Sequence, residues 1–211
     1  MLLELLPKEL SPETIIHIGG VALLLVVVFF ETGIFFGFFL PGDSLLFTAG
    51  IMCNGPYLSV SPSELIPMLI GSATLGTAAG FFFGRWAGDF FSHRKENFFY
   101  RKKYVDLTQD FFQKHGMMAF VFGRFIPIVR TFLPILAGIA KIDVKKFWIY
   151  NLLGATLWVV TVVMAGFWLS TLIPGLADYI GLIAVIMIVI STLPLVVSVF
   201  RKIAASGQNS K

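Results

Sequence analysis

The apolar positions of this chain fall into six blocks separated by charges and turn residues. Block one runs from about Ile15 to Leu40, block two from about Ser44 to Asn54, and block three from about Leu65 to Trp86. Block four covers about Met117 to Ala140, and blocks five and six, Phe147–Ile173 and Tyr179–Phe200, are split by the turn PGLAD. The runs Leu65–Gly84, Phe147–Asp178 and Tyr179–Phe200 are long enough to cross a hydrocarbon layer of about 30 Å as helices, whereas block two is too short. The pattern predicts an all-α, polytopic helical membrane protein with about four spanning helices. Block three also carries Gly71, Gly76, Gly80 and Gly84, a spacing that predicts close helix–helix contact.

Block four does not fit a simple span. Its stretch GRFIPIVRTFLPILAG, residues 123–138, holds Arg124, Arg130, Pro127 and Pro134. An arginine at the bilayer centre costs at least ~2.5–3.5 kcal/mol on insertion scales, and proline removes a helical hydrogen bond that lipid cannot replace. The charges outside the blocks suggest a way out. The linker HRKENFFYRKKYVDLTQDFFQKH carries six Lys/Arg against three acids; Lys141, Lys145 and Lys146 separate blocks four and five; Arg201 and Lys202 follow block six. By the positive-inside rule all three clusters are cytoplasmic, so block four starts and ends on one side and must be re-entrant. Counting back, block two dips in from the opposite side. Pro41 and Gly42 would form the first hairpin, and Pro127 and Pro134 the second. Two opposed broken hairpins are the plan of inverted-repeat transporters, and LPGDSLLFTAG and RTFLPILAG carry a faint echo of such a repeat.

This divides the chain into an N-terminal interfacial segment (1–14), one membrane domain (15–200) with a cytoplasmic amphipathic linker at 92–115, and a disordered cytoplasmic tail (201–211). Both termini are placed in the cytoplasm. The charged residues ahead of the first block are Glu4, Lys8, Glu9 and Glu13, the wrong sign for a secretory signal. Composition agrees with a membrane protein: 57% of residues are hydrophobic and 13% charged, about half the roughly 25% usual in soluble domains. The net charge of +4 belongs to membrane edges and anionic lipid, so no nucleic-acid partner is expected. Arg85 with Trp86 reads as such an edge anchor. A single cysteine, Cys53, excludes an internal disulfide, and three scattered histidines lack metal-ligand spacing, so no metal or cofactor is expected beyond a coupling proton.

Four charges lie inside the blocks: Glu31, Asp43, Arg124 and Arg130. One reading is structural, with two buried ion pairs holding the hairpins together, although such pairs are poor stabilisers beside apolar packing. The functional reading treats the two guanidiniums as forks for a phosphate or another anion. On a straight helix they would point about 240° apart, but a break at Pro127 can aim both at one site. Half-helix ends freed by Pro127 and Pro134 would add backbone N–H donors. Glu31 and Asp43 then supply titratable groups whose protonation depends on whether an anion occupies the arginines, which is the equipment for proton coupling. No nucleophile beside a base and no phosphatase, Walker A or zinc-protease motif is present, so the reading is not enzymatic.

FETGIFFGFFLPGDSLLFTAG and GRFIPIVRTFLPILAG resemble the two hallmark segments of the DedA family, the bacterial branch of the SNARE-associated/VTT-domain membrane proteins. GTAAGFFFGRWAG and YNLLGATLWVVTVVMAGFWLS are similar to two further family segments, and the resemblance covers roughly residues 20–200. It implies a multi-pass protein of the bacterial inner membrane that moves a lipid-linked anion such as undecaprenyl phosphate. In that assignment Arg124 and Arg130 bind the headgroup and Glu31 and Asp43 couple its movement to protons. Partners are then an anionic lipid or polyprenyl phosphate and the surrounding membrane lipids, with a homo-oligomer left open. Where many members carry Asp, this chain has Thr77. Two other readings stay open: a proton-coupled exporter of small cations held by Glu31 and Asp43, and a non-transporting membrane scaffold.

Overall fold

A computed structural model describes residues 12–33, 42–55, 58–92 and 116–173, together with Phe112 and Leu182. The tail at 201–211, Pro41, nearly all of block six and nearly all of the 92–115 linker lie outside the described residues, as does most of the N-terminal segment. The described residues include six helices: α1 (Pro12–Gly33), α2 (Gly42–Met52), α3 (Pro62–Ser92), α4 (Ala119–Gly123), α5 (Pro127–Ile139) and α6 (Val144–Leu172).

Helix boundaries follow local chemistry. Ser61 precedes α3, and Glu64 reaches back to accept from its backbone N–H at 3.0 Å, half of a capping box. Asp143 caps α6 by accepting from the backbone N–H of Lys146 at 2.8 Å. At the far end of α5 the chain closes as a Schellman turn, with Ile142 N–H donating to the Ala137 carbonyl and Lys141 N–H to that of Gly138. Lys141 takes the left-handed position at φ 56° that glycine usually fills. α1 bends at Gly20 (φ 54°, ψ −148°), a conformation open to glycine alone.

Among the described residues, two stretches are long and apolar enough to cross a membrane: Pro62–Gly88 within α3 and Val144–Leu172, the whole of α6. Only 33% of the most apolar window of α6 is buried. Its outer face presents Leu152, Leu153, Leu157 and Trp168 to the surroundings, as α3 presents Phe82, Phe83 and Trp86. A core helix of a soluble protein would hide such residues; here they suit lipid. At 11 residues, about 16 Å, α2 cannot span.

α3 packs between α1 and α5, α2 packs along α6, and α3 and α6 also meet. Two apolar clusters result. One gathers Leu24, Val28, Leu45, Leu65, Leu69 and Val163; the other gathers Phe81, Phe120, Leu133 and Phe147, with Phe81 and Phe147 stacked at 4.0 Å. α3 runs from the first cluster to the second and α6 from the second to the first, so these helices are antiparallel. Thr74 and Thr77 on α3 and Asn151 on α6 fall between the clusters and form a buried polar layer.

The α2–α6 and α3–α5 crossings are built alike. A side chain on Gly50 would strike the backbone of Val163 and Phe167, and one on Gly166 that of Phe47. In the same spacing, one on Gly138 would strike Phe81 and Arg85, and one on Gly84 would strike Ile135. Each short helix thus seats on the long helix of the other half. α1 meets α3 through Gly33 and Gly76, where Thr32 donates to the Ala73 carbonyl at 3.3 Å and Ser72 to that of Leu25 at 2.6 Å. Of the four glycines singled out in block three, Gly76, Gly80 and Gly84 make such contacts. Gly71 does not; among the described residues nothing would meet a side chain there. The Gly138→Val variant is therefore expected to lose about 1–3 kcal/mol by overpacking, and Gly71→Ala to change stability little, in thermal unfolding of detergent-solubilised protein.

Candidate functional site

The charges predicted inside the membrane meet in the polar layer. Glu31 is the third-last residue of α1 and is fully buried. Asp43 is in the first turn of α2, and Arg130 is the fourth residue of α5. Arg130 spans both acids: Nη2 pairs with Glu31 Oε1, and Nη1 donates to Asp43 Oδ1 at 2.8 Å. Trp158 of α6 completes the group. Its indole N–H donates to the same Asp43 oxygen at 2.9 Å, and its ring lies 4.9 Å from the Arg130 guanidinium carbon, within cation–π range. Four helices are therefore joined at one guanidinium.

Arg124 has a different environment. It sits in the break between α4 and α5, where Ile126 is extended (φ −111°, ψ 110°), as a residue before proline is pushed to be. Its side chain crosses α6 beside Gly154, where an added Cβ would lie 3.1 Å from Arg124 Cδ. There Nη2 donates to Thr77 Oγ1 at 2.9 Å and to Asn151 Oδ1. Asn151 in turn donates from Nδ2 to the Thr74 carbonyl at 3.1 Å. Among the described residues, no carboxylate is bonded to Arg124.

Both arginines line one small cavity with Thr77, Phe120, Gly123, Leu133 and Pro134, with room for about one water. Arg130 Nε and Glu31 Oε2 are buried there or nearby without a hydrogen-bond partner among the described residues. The structure thus brings all four predicted charges to one layer. It does not divide them into two pairs: Arg130 takes both acids and Arg124 takes neutral partners.

The residues expected to form the hairpins behave differently. Pro127 opens α5 at the break, as a turn-making proline should. Pro134, expected at the turn, instead sits inside α5 and lines the cavity. Lacking an N–H, it cannot bond the Arg130 carbonyl one turn back, and no helix end is freed there. Gly42 is the first residue of α2, and its bare Cα admits the Glu31 carboxylate; a Cβ there would overlap it. Asn151, Trp158 and Gly154 were not singled out individually from the sequence. The signal was a lone amide, Asn151, in a long uncharged run; Trp158 is one of three tryptophans of α6 and is not marked by composition.

A VTT-domain profile matches residues 40–168, which takes in Asp43, both arginines, Asn151 and Trp158. Protein DedA of Escherichia coli K12 is 35% identical over 190 residues, 90% of this chain and 86% of that protein. This chain belongs to the DedA family of VTT-domain membrane proteins. An uncharacterized membrane protein of Mycobacterium tuberculosis H37Rv is 34% identical over 178 residues, covering 84% of this chain and 78% of its own length. The inner membrane protein YghB of Escherichia coli K12 is 34% identical over 156 residues, 73% of this chain and 70% of its own. No solved structure matches.

In this DedA-family site, removing one partner of a buried ion pair leaves the others uncompensated. Arg130→Met strands Glu31 and Asp43 together and is expected to cost about 3–5 kcal/mol. The triple variant Arg130→Met, Glu31→Gln, Asp43→Asn is expected to recover most of that loss. Unfolding of the purified variants in detergent measures both.

Proposed function

We propose that this protein is a flippase for a lipid-linked phosphate, undecaprenyl phosphate being the leading candidate, in the bacterial inner membrane. The observation that carries the reading is two buried guanidiniums on one cavity, one of them with no acidic partner among the described residues. A phosphomonoester offers planar pairs of oxygens that arginine forks match. The surrounding apolar clusters and lipid-facing helices suit a ligand whose tail stays in the bilayer while its headgroup moves through the protein.

Proton coupling follows from competition for Arg130. With Glu31 and Asp43 ionised, its guanidinium is occupied; protonating a carboxylate weakens that hold and lets phosphate take its place. The cavity holds no more than about a water, so on this reading the structure is the closed state and headgroup entry requires the break at 124–126 to open. Re-entrant hairpins on opposite faces would provide the two entrances. The reciprocal α2–α6 and α3–α5 crossings support such exchange, since either can loosen while the other stays seated. The inner-membrane location rests on the name carried by YghB. The cation-exporter reading has less support, because both acids it needs are already engaged by Arg130.

The test is headgroup translocation in proteoliposomes carrying labelled undecaprenyl phosphate, with and without a pH gradient. Arg124→Ala and Arg130→Ala are each expected to lower the rate at least tenfold, and Glu31→Gln to remove its dependence on the gradient. Wild-type rates in both arginine variants would sink the assignment, and no movement by the wild type would favour a scaffold.

A further inference from the structure

Arg124 and Arg130 share a cavity but differ in what already holds them. Arg130 uses both ends of its fork on carboxylates and lies against the Trp158 ring. Arg124 is only 4% exposed and is bonded to a hydroxyl and an amide oxygen, both neutral. A buried guanidinium without a counterion is costly, and that cost is relieved when an anion enters beside it. Arg130 already has what an anion would offer.

The neutrality around Arg124 is held in place by Asn151. Its Nδ2 is committed to the Thr74 carbonyl, so its Oδ1 must face Arg124. The hydrogen-bond network sets this orientation, with the amide fixed between α3 and the break. Aspartate has nearly the same shape and would supply the same acceptor together with a full negative charge. The choice of amide over acid therefore keeps the arginine oriented while leaving its charge unspent.

Resting on the phosphate reading above, we propose that Arg124 is the residue that first receives the phosphomonoester, and that Asn151 is its positioning residue and sets the affinity for the anion. Arg130 joins only once Glu31 and Asp43 release it. Thr77 is a second neutral acceptor at the same Nη2 and contributes orientation alone.

The experiment measures binding of dodecyl phosphate to the full-length protein in detergent by calorimetric titration. Gel filtration and thermal unfolding report the fold. The wild type is expected to bind, and Asn151→Asp to weaken binding at least tenfold by giving Arg124 an internal counterion. Should Asn151→Asp not fold, Thr77→Asp brings a carboxylate to the same nitrogen from α3 and carries the same expectation. Wild-type affinity in the folded acidic variant overturns the Arg124 assignment and leaves the phosphate reading standing. A wild type that does not bind dodecyl phosphate overturns both. Inorganic phosphate titrated in parallel identifies the source of the ligand: the same tenfold loss with equal affinity supports the assignment for free phosphate, and a clear preference for the alkyl ester supports a lipid headgroup.

Discussion

One guanidinium organises this bundle. Arg130 reaches Glu31 on α1 and Asp43 on α2, and the same Asp43 oxygen takes the indole N–H of α6. In a medium without water each of these groups has to find its partner inside the protein. The group therefore specifies which helices meet and at what height, although burying it adds little net stability compared with apolar packing. The first turn of α2 and the start of α5 are brought face to face because a charge on each is satisfied only there.

The packing around that point keeps it closed on both sides. Phe81, Phe120 and Phe147 seal one end of the polar layer, and Leu45, Leu69 and Val163 seal the other. Glycine-to-backbone seats at the two crossings hold the short helices against the long ones without intervening side chains. Such contacts break and re-form as units, so they favour two discrete arrangements over gradual deformation. Among the described residues, one arginine is paired with two acids and the other has neutral partners, so the site is electrostatically asymmetric. On the proposed reading, Arg130 maintains the closed arrangement and Arg124 is available to a ligand.

Much of this could be read along the chain. The apolar blocks set the helices, with α3 and α6 each starting a few residues before the expected block because the Ser61–Glu64 pair and Asp143 cap them there. The break in block four was marked by Pro127, and Glu31, Asp43, Arg124 and Arg130 stood out because charge is expensive where they are. Pro134 misled because proline inside a helix and proline at a turn look the same in one dimension. Gly71 misled because spacing identifies a helix face but not whether a neighbour covers it.

What the sequence determined by itself, then, was the set of groups that cannot stay in lipid alone, and the elements that carry them; both follow from the local cost of exposing charge and backbone to hydrocarbon. The partnership between those groups was decided only in three dimensions. Arg130 could have paired with one acid and Arg124 with the other. The outcome depended on the height at which α2 and α5 seat on α6 and α3, and on the turn at 124–126 that points Arg124 across Gly154 toward Asn151. Those are properties of helix crossings between segments far apart in the chain, and no local pattern encodes them.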